Sequence, residues 1–422
     1  MSKKPKAPGH SLLIVLFIIG MTAAAVLVML LWLPRSENMQ TAASSSSEPL
    51  SSLLQSSSAM TPSPSSETIV SDLEQQVLQK LSEMTLEEKV AQLFMITPED
   101  LTGKDTATQA GGSLLNALQK YPVGGLIFFG KNLVSPRQLA AMTGSIQKHA
   151  EETQGMPLLL GIDEEGGSVA RIANNGSFPV EKFSDMASVG ASEDYDKAYR
   201  IGSVIGAYLY SYGFNLDFAP DADVLTNPDN TVIGARSFGS DPEIVAKMDL
   251  QVARGLADNQ VYPCFKHFPG HGATEGDTHE GFAYTGKTLD EMVQAELVPF
   301  QAAVDRQIPF IMVSHISAPN VTGNNLPASL SSIMMTDVLR NQMGYDGIII
   351  TDSMKMGAII NHYGTEKTAL TAFLAGADMI LMPQDFITAY QNILDAVADG
   401  TVSEQRLDDS VRRILHIKLA LD

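Results

Sequence analysis

From Ser71 onward the chain alternates short, uninterrupted apolar runs with longer stretches at helical spacing. Eight runs read as buried strands: Gln92–Ile96, Gly125–Phe129, Leu158–Asp163, Asn215–Ala219, Val261–Lys266, Phe310–Ser314, Gly347–Asp352 and Asp378–Met382. Between and after them, Pro136–Glu152, Glu243–Asp258, Leu289–Arg306, Lys367–Ala375 and Ser403–Ala420 carry helical periodicity. Continuous apolar strands separated by helices imply a parallel sheet covered on both faces. Eight such units predict a single TIM-type (β/α)8 barrel spanning residues 71–422. No repeat of 20–50 residues appears beyond this alternation.

A barrel carries its chemistry just past the C-terminal ends of its strands. Asp163, Asp217, Lys266-His267, His315 and Asp352 stand there, polar groups on strands that are otherwise apolar. Packing does not explain five polar strand ends aimed at one rim, so the pattern predicts an enzyme.

The first seventy residues belong to no core. Leu12–Leu33 is uncharged and would be about 33 Å long as a helix, enough to span ~30 Å of hydrocarbon. Lys3, Lys4 and Lys6 precede it, which places residues 1–11 in the cytoplasm and everything after Arg35 outside. A cleaved signal peptide competes, because Ala23-Ala24-Ala25 offers small residues, but that triplet is followed by more apolar chain through Leu33. The reading adopted is a signal-anchor over 12–33, a Ser-rich disordered linker over 34–70 and a catalytic barrel over 71–422. Ser36–Val70 holds thirteen serines and three prolines with almost no charge, so it cannot bury a core.

Charge narrows the partners. Forty-eight acids face 28 bases; without the three acids and four bases before Ser71 the balance is 45 to 24, a net of −21. That sign argues against nucleic acid. The one cysteine, Cys264, lies inside an apolar strand, which excludes an internal disulfide and predicts an inert buried thiol.

The most specific stretch is Lys266-His267-Phe268-Pro269-Gly270-His271-Gly272, followed by Asp277-Thr278-His279. Two residues apart, Asp277 can orient the His279 imidazole and hold one tautomer, an arrangement suited to general acid/base work near neutral pH. This run resembles the glycoside hydrolase family 3 β-N-acetylglucosaminidases of the NagZ type, and the resemblance recurs at separate motifs from Met84 to the C-terminus. Thr351-Asp352-Ser353 through Gly357 matches the pattern whose aspartate is the nucleophile. The resemblance therefore implies that Asp352 forms a covalent glycosyl-enzyme with retention, and that His279, backed by Asp277, is the acid/base. Gly161–Arg171 is similar to the family's D-Q-E-G-G-R-V-x-R, which makes Asp163 and Arg171 sugar contacts. Two departures stand inside it, Glu164 for Gln and Ser168 for Arg, and they bear on fine specificity. Ile233–Gly239 matches a loop whose arginine, here Arg236, holds the sugar, and Lys266 and His267 match a sugar-binding pair. After His279 the family often continues Leu-Pro where this chain has Phe282-Ala283, so loop closure over the sugar differs.

No metal or cofactor is expected. His267, His271 and His279 are not at helical ligand spacing, and Asp221-Ala222-Asp223 with Asp229 lacks the glycine and glutamate of a calcium loop. The predicted activity is exo-hydrolysis of terminal β-linked GlcNAc from peptidoglycan or muropeptide fragments by a membrane-tethered extracellular enzyme. A family 3 β-glucosidase or β-xylosidase, a GlcNAc phosphorylase and an inactive wall-binding barrel are the alternatives.

Overall fold

A computed structural model describes residues 66–421 apart from 280, 282, 365 and 366. The expected anchor at 12–33 and most of the expected linker lie outside the described residues. Within them, no helix is long and apolar enough to cross a membrane. The first described helix opens at Ser66 and runs to Glu83, so helix begins inside the stretch expected as linker. It docks on the C-terminal helix, with Val77 fully buried and Arg412 paired to Glu74 at 2.8 Å.

All eight expected strands form, as β1 (Phe94–Ile96), β2 (Gly125–Ile127), β3 (Leu159–Ile162), β4 (Leu216–Asp217), β5 (Tyr262–Phe268), β6 (Phe310–Val313), β7 (Ile348–Thr351) and β8 (Ile380–Leu381). They make one parallel sheet in the order β7-β6-β5-β4-β3-β2-β1-β8. A bridge between Ile350 and Met379 joins its two ends, giving a nearly closed eight-stranded barrel. The strands are short, and nearly every residue in them is buried. Fully buried Phe94, Phe265 and Phe310 fill the sheet, and Phe128 meets Phe214 edge to face at 5.5 Å between centroids.

Two boundaries moved for identifiable reasons. Gln92 ends the helix Leu86–Gln92 instead of opening β1; its amide donates to the Pro122 carbonyl at 2.6 Å at the base of the barrel. The single helix expected over Leu289–Arg306 is two, Leu289–Val293 and Val298–Asp305. Pro299 has no N–H to donate and its ring would collide with the carbonyl four residues back, so the helix restarts there. Helix starts that the pattern did place are capped as their sequences require: Ser135 and Gln138 form a reciprocal box ahead of Pro136–Gln154. Helices Tyr195–Ser211 and Phe386–Ala398 complete units the sequence reading left without one.

Candidate active site

The rim begins with β5, which carries Lys266 and His267 to its C-terminal end, both buried. Lys266 Nζ lies 2.9 Å from Asp163 Oδ1, just past β3, and 2.7 Å from Glu165 Oε1. Burial works against its charge, but these two carboxylates hold its pKa above the ordinary lysine value. Glu165 also takes the Arg236 guanidinium as a two-pronged fork, Nε to Oε2 at 2.9 Å and Nη2 to Oε1 at 2.8 Å. Burial would raise the Glu165 carboxyl; Arg236 and Lys266 overwhelm that and keep it far below its usual range. Arg236 reaches Asp221 Oδ2 as well, at 3.1 Å.

His267 Nδ1 sits 2.7 Å from Asp223 Oδ2, and Nε2 faces Arg236 Nη2 at 3.4 Å. A guanidinium only donates, so Nε2 accepts and the proton resides on Nδ1. Burial, with Arg236 beside it, pushes the His267 pKa down to about 4, leaving a neutral ring. Asp223 Oδ1 accepts the backbone N–H of His271. The His271 ring braces the next loop, Nδ1 meeting Thr274 Oγ1 at 2.9 Å and Nε2 meeting Thr278 Oγ1 at 3.1 Å. The sharp turn before it needs its glycine. Gly270 has φ +123°, and a Cβ there would lie 2.6 Å from that of Glu296.

Asp352 follows β7, with its Oδ1 accepting the Ser353 N–H at 2.7 Å. Burial alone would raise its pKa; His315, His267, that N–H and Lys266 together bring it below the ordinary aspartate value. The buried group is thus held as a carboxylate. His315, past β6, donates its Nε2–H to the Ser353 carbonyl at 2.9 Å, and its Nδ1 accepts the Ser329 hydroxyl at 2.7 Å. Only an Nε2–H tautomer satisfies both contacts, and burial depresses the ring's pKa to match.

Asp277 and His279 stand farther out on their own loop. His279 Nδ1 and its backbone N both contact Asp277 Oδ1 at 2.8 Å. Burial opposes the Asp277 charge, but those bonds lower its pKa. The His279 side chain is 62% exposed, so its Nε2 edge is free to meet a ligand. The loop is tied to the segment just beyond Asp352: Gly357 N donates to the His279 carbonyl at 3.3 Å and Ala358 N to the Thr278 carbonyl at 3.0 Å.

Asp163, Arg236, Lys266 and His267 thus form one network, with Asp352 electrostatically joined to it. Arg171 lies at its margin, Nη2 3.5 Å from Asp163 Oδ2. Its guanidinium faces the Phe129 ring at 6.0 Å. The sequence reading passed over Glu165, the carboxylate that joins Lys266 to Arg236, although it stands in the matched Asp163-Glu164-Glu165-Gly166-Gly167 run. It also set Asp221 and Asp223 aside with the calcium decoy, whereas they seat Arg236 and His267. Glu164, a departure from the family pattern, turns inward. It accepts Ile172 N and Ala173 N at 2.8 Å each and the Tyr208 hydroxyl at 2.8 Å, and so staples the loop that bears Arg171. Ser168, the second departure, is exposed beside Arg171 in a polar hollow.

Among the described residues, Asp221, Asp223 and His267 bring possible ligand atoms within 4.8 Å of one another. Arg236 already supplies the cation at that point. His267 and His271 meet edge to face, their ring centroids 6.0 Å apart.

Comparison with known proteins agrees with this geometry. The family model described as "Glycosyl hydrolase family 3 N terminal domain" matches residues 85–417. Beta-hexosaminidase A of Pseudoalteromonas piscicida is 32% identical over 334 residues, covering 73% of this chain and 55% of that protein. A beta-hexosaminidase of Nitrosomonas eutropha is 34% identical over 307 residues, covering 70% and 85%. In the solved structure of a family 3 beta-N-acetylglucosaminidase from Paenibacillus sp., the likeness has a TM-score of 0.75 at 37% identity. It covers 80% of this chain and 63% of that one. The match to residues 85–417 takes in all eight strands and every residue of the rim network, and by it the chain belongs to glycosyl hydrolase family 3.

Proposed function

We propose that this chain is a retaining exo-β-N-acetylglucosaminidase that removes terminal β-linked GlcNAc from peptidoglycan or muropeptide fragments. One observation carries the reading. A buried carboxylate, Asp352, is kept ionised at a strand end, and an Asp277–His279 pair is tied by backbone hydrogen bonds to the residues just beyond it. A carboxylate nucleophile and a separate proton donor are what a retaining glycosidase needs. The names of the Pseudoalteromonas, Nitrosomonas and Paenibacillus relatives support the hexosaminidase assignment.

In the first half-reaction Asp352 attacks the anomeric carbon while His279 gives its Nε2 proton to the departing glycosidic oxygen. The Asp277 carboxylate on Nδ1 stabilises the imidazolium before transfer. In the second half, neutral His279 takes a proton from water, whose oxygen displaces Asp352. Asp163, Lys266 and Arg236 hold the sugar hydroxyls with charge-assisted hydrogen bonds and His267 with a neutral one, and Arg171 lies nearest the exposed hollow. Residues 12–33 would anchor the enzyme, with the Ser-rich stretch as its tether and the barrel outside the cell.

The test is turnover of 4-nitrophenyl β-glycosides of GlcNAc, glucose and xylose, with and without phosphate. GlcNAc should be cleaved fastest, without phosphate dependence. Asp352→Ala should abolish it with the fold intact; a loss of only a few-fold removes Asp352 as nucleophile. His279→Ala should slow sugar leaving groups at least tenfold more than nitrophenolate, since general acid catalysis is worth ~10²–10⁴-fold and nitrophenolate hardly needs it. Equal losses would make His279 a binding residue only.

A further inference from the structure

The loop that carries Asp277 and His279 is closed at its base by an antiparallel pair. Glu275 N donates to the Tyr284 carbonyl and Tyr284 N to the Glu275 carbonyl, both at 3.2 Å. The Tyr284 hydroxyl then donates to Glu275 Oε2 at 2.8 Å. On its other side Ala283-Tyr284 pairs in parallel with Ile316-Ser317, and Ser317 in turn bridges Pro327. Tyr284 is therefore fixed in backbone and at its ring tip, yet 49% of it is exposed. Leu326, next to Pro327, is exposed too, at 37%. Two apolar side chains thus face solvent beside the loop bearing His279, on neighbouring segments held by hydrogen bonds. Tyr284 directly follows Phe282-Ala283, where the sequence departs from the family pattern after His279.

We propose that Tyr284 is a binding residue for the leaving group, its ring forming the platform for the sugar beyond the scissile bond. This rests on His279 being the proton donor: the donated proton goes to the glycosidic oxygen, so the departing sugar must lie against the His279 loop. The charged network of Asp163, Lys266, Arg236 and His267 is buried and suits the hydroxyl-rich sugar that is retained. The departing ring meets a different surface. A pyranose presents a face of C–H groups, and stacking that face on an aromatic ring removes apolar area from water without unpairing a hydroxyl. A free surface tyrosine would lose rotamer entropy on stacking; Tyr284 is already held at both ends, so that cost is small. The ligand class is a β-linked aminosugar or other pyranose as leaving group, in preference to one without a ring.

The experiment compares the full chain with Tyr284→Ala and Tyr284→Phe on two substrates. One is the β-1,4-linked disaccharide of GlcNAc; the other is N-acetylglucosaminyl β-fluoride, whose leaving group has no ring to stack. Tyr284→Ala should lower kcat/KM for the disaccharide at least tenfold, chiefly through KM, and change the fluoride less than twofold. Tyr284→Phe keeps the ring and should stay within threefold of the parent on both. A disaccharide loss carried by kcat, with KM unchanged, would make Tyr284 a support of the His279 loop alone and remove the platform, because a fluoride needs little protonation and is spared in either case. Failure of the unsubstituted protein to cleave either substrate would instead refute the glycosidase reading and this proposal with it.

Discussion

Lys418 gives the barrel an unusual dependence on pH. It sits on the C-terminal helix, Glu404–Leu419, with no exposed surface. Among the described residues its ammonium finds one acceptor, Gln92 Oε1 at 2.9 Å, and no carboxylate. Burial, with Lys80 nearby, pulls its pKa down to about 7 from an ordinary 10.5. The unfolded chain keeps that proton up to about 10.5 while the folded chain gives it up near 7, so between those values the unfolded state binds more protons and stability rises with pH. At pH 7 the cost of burying this group is about 4 kcal/mol, from roughly 1.4 kcal/mol for each pH unit between the two values less the part relieved because the folded group is half deprotonated there. Lys418→Met removes that cost and leaves Gln92 Oε1 without a donor, a loss of ~1–3 kcal/mol. The variant should therefore be more stable than the parent by about 1–3 kcal/mol at pH 7 and less stable by a similar amount near pH 10. Urea midpoints at pH 7, 8.5 and 10 measure the crossing. Because Lys418 lies with Gln92 at the opposite end of the barrel from the rim, kcat on a GlcNAc β-glycoside should be unchanged at pH 7. A variant that is less stable at pH 7, or a difference that does not vary with pH, would refute the reasoning.

Three further outcomes are expected. His267 is neutral and buried with a pKa of about 4 against an ordinary 6.5. Its contribution is therefore fully present above pH 6.5 and lost as pH falls toward 4, on the order of 3 kcal/mol. His267→Gln should flatten that part of the acid denaturation profile, and an identical slope would count against it. Arg236→Lys cannot reproduce the fork onto Glu165 and should lower kcat/KM at least a hundredfold, whereas a loss below fivefold would mean that charge alone suffices. Removing residues 1–65 should give a fully active protein with unchanged melting. Cutting on through Glu83 should destabilise it, because the Ser66–Glu83 helix buries Val77 and pairs Glu74 with Arg412.

What the sequence disclosed and what it withheld divide along one physical line. Strand positions follow from local composition: a run such as Gly347–Thr351 must be buried on both faces wherever it goes, so eight runs alternating with helices leave few folds other than a closed parallel barrel. The polar residues at five of those strand ends were legible for the same reason, since a barrel has only one rim where its strand ends emerge. The partners of those residues were not. Glu165 meets Arg236 across 71 positions and Lys266 meets Asp163 across 103. Nothing in the neighbourhood of either residue encodes such a distance; it is set when the barrel closes. Glu164 is the clearest case. Beside the matched Asp163 it reads as a departure bearing on fine specificity, yet in the structure it points away from the rim and binds the backbone of its own loop. A sequence motif records which residue types a site needs, while the direction in which each one points depends on strand alternation and loop geometry beyond it. Asp163 and Glu165, two apart, both reach Lys266, and Glu164 between them faces inward, the period-two alternation of extended chain carried one step past the strand end.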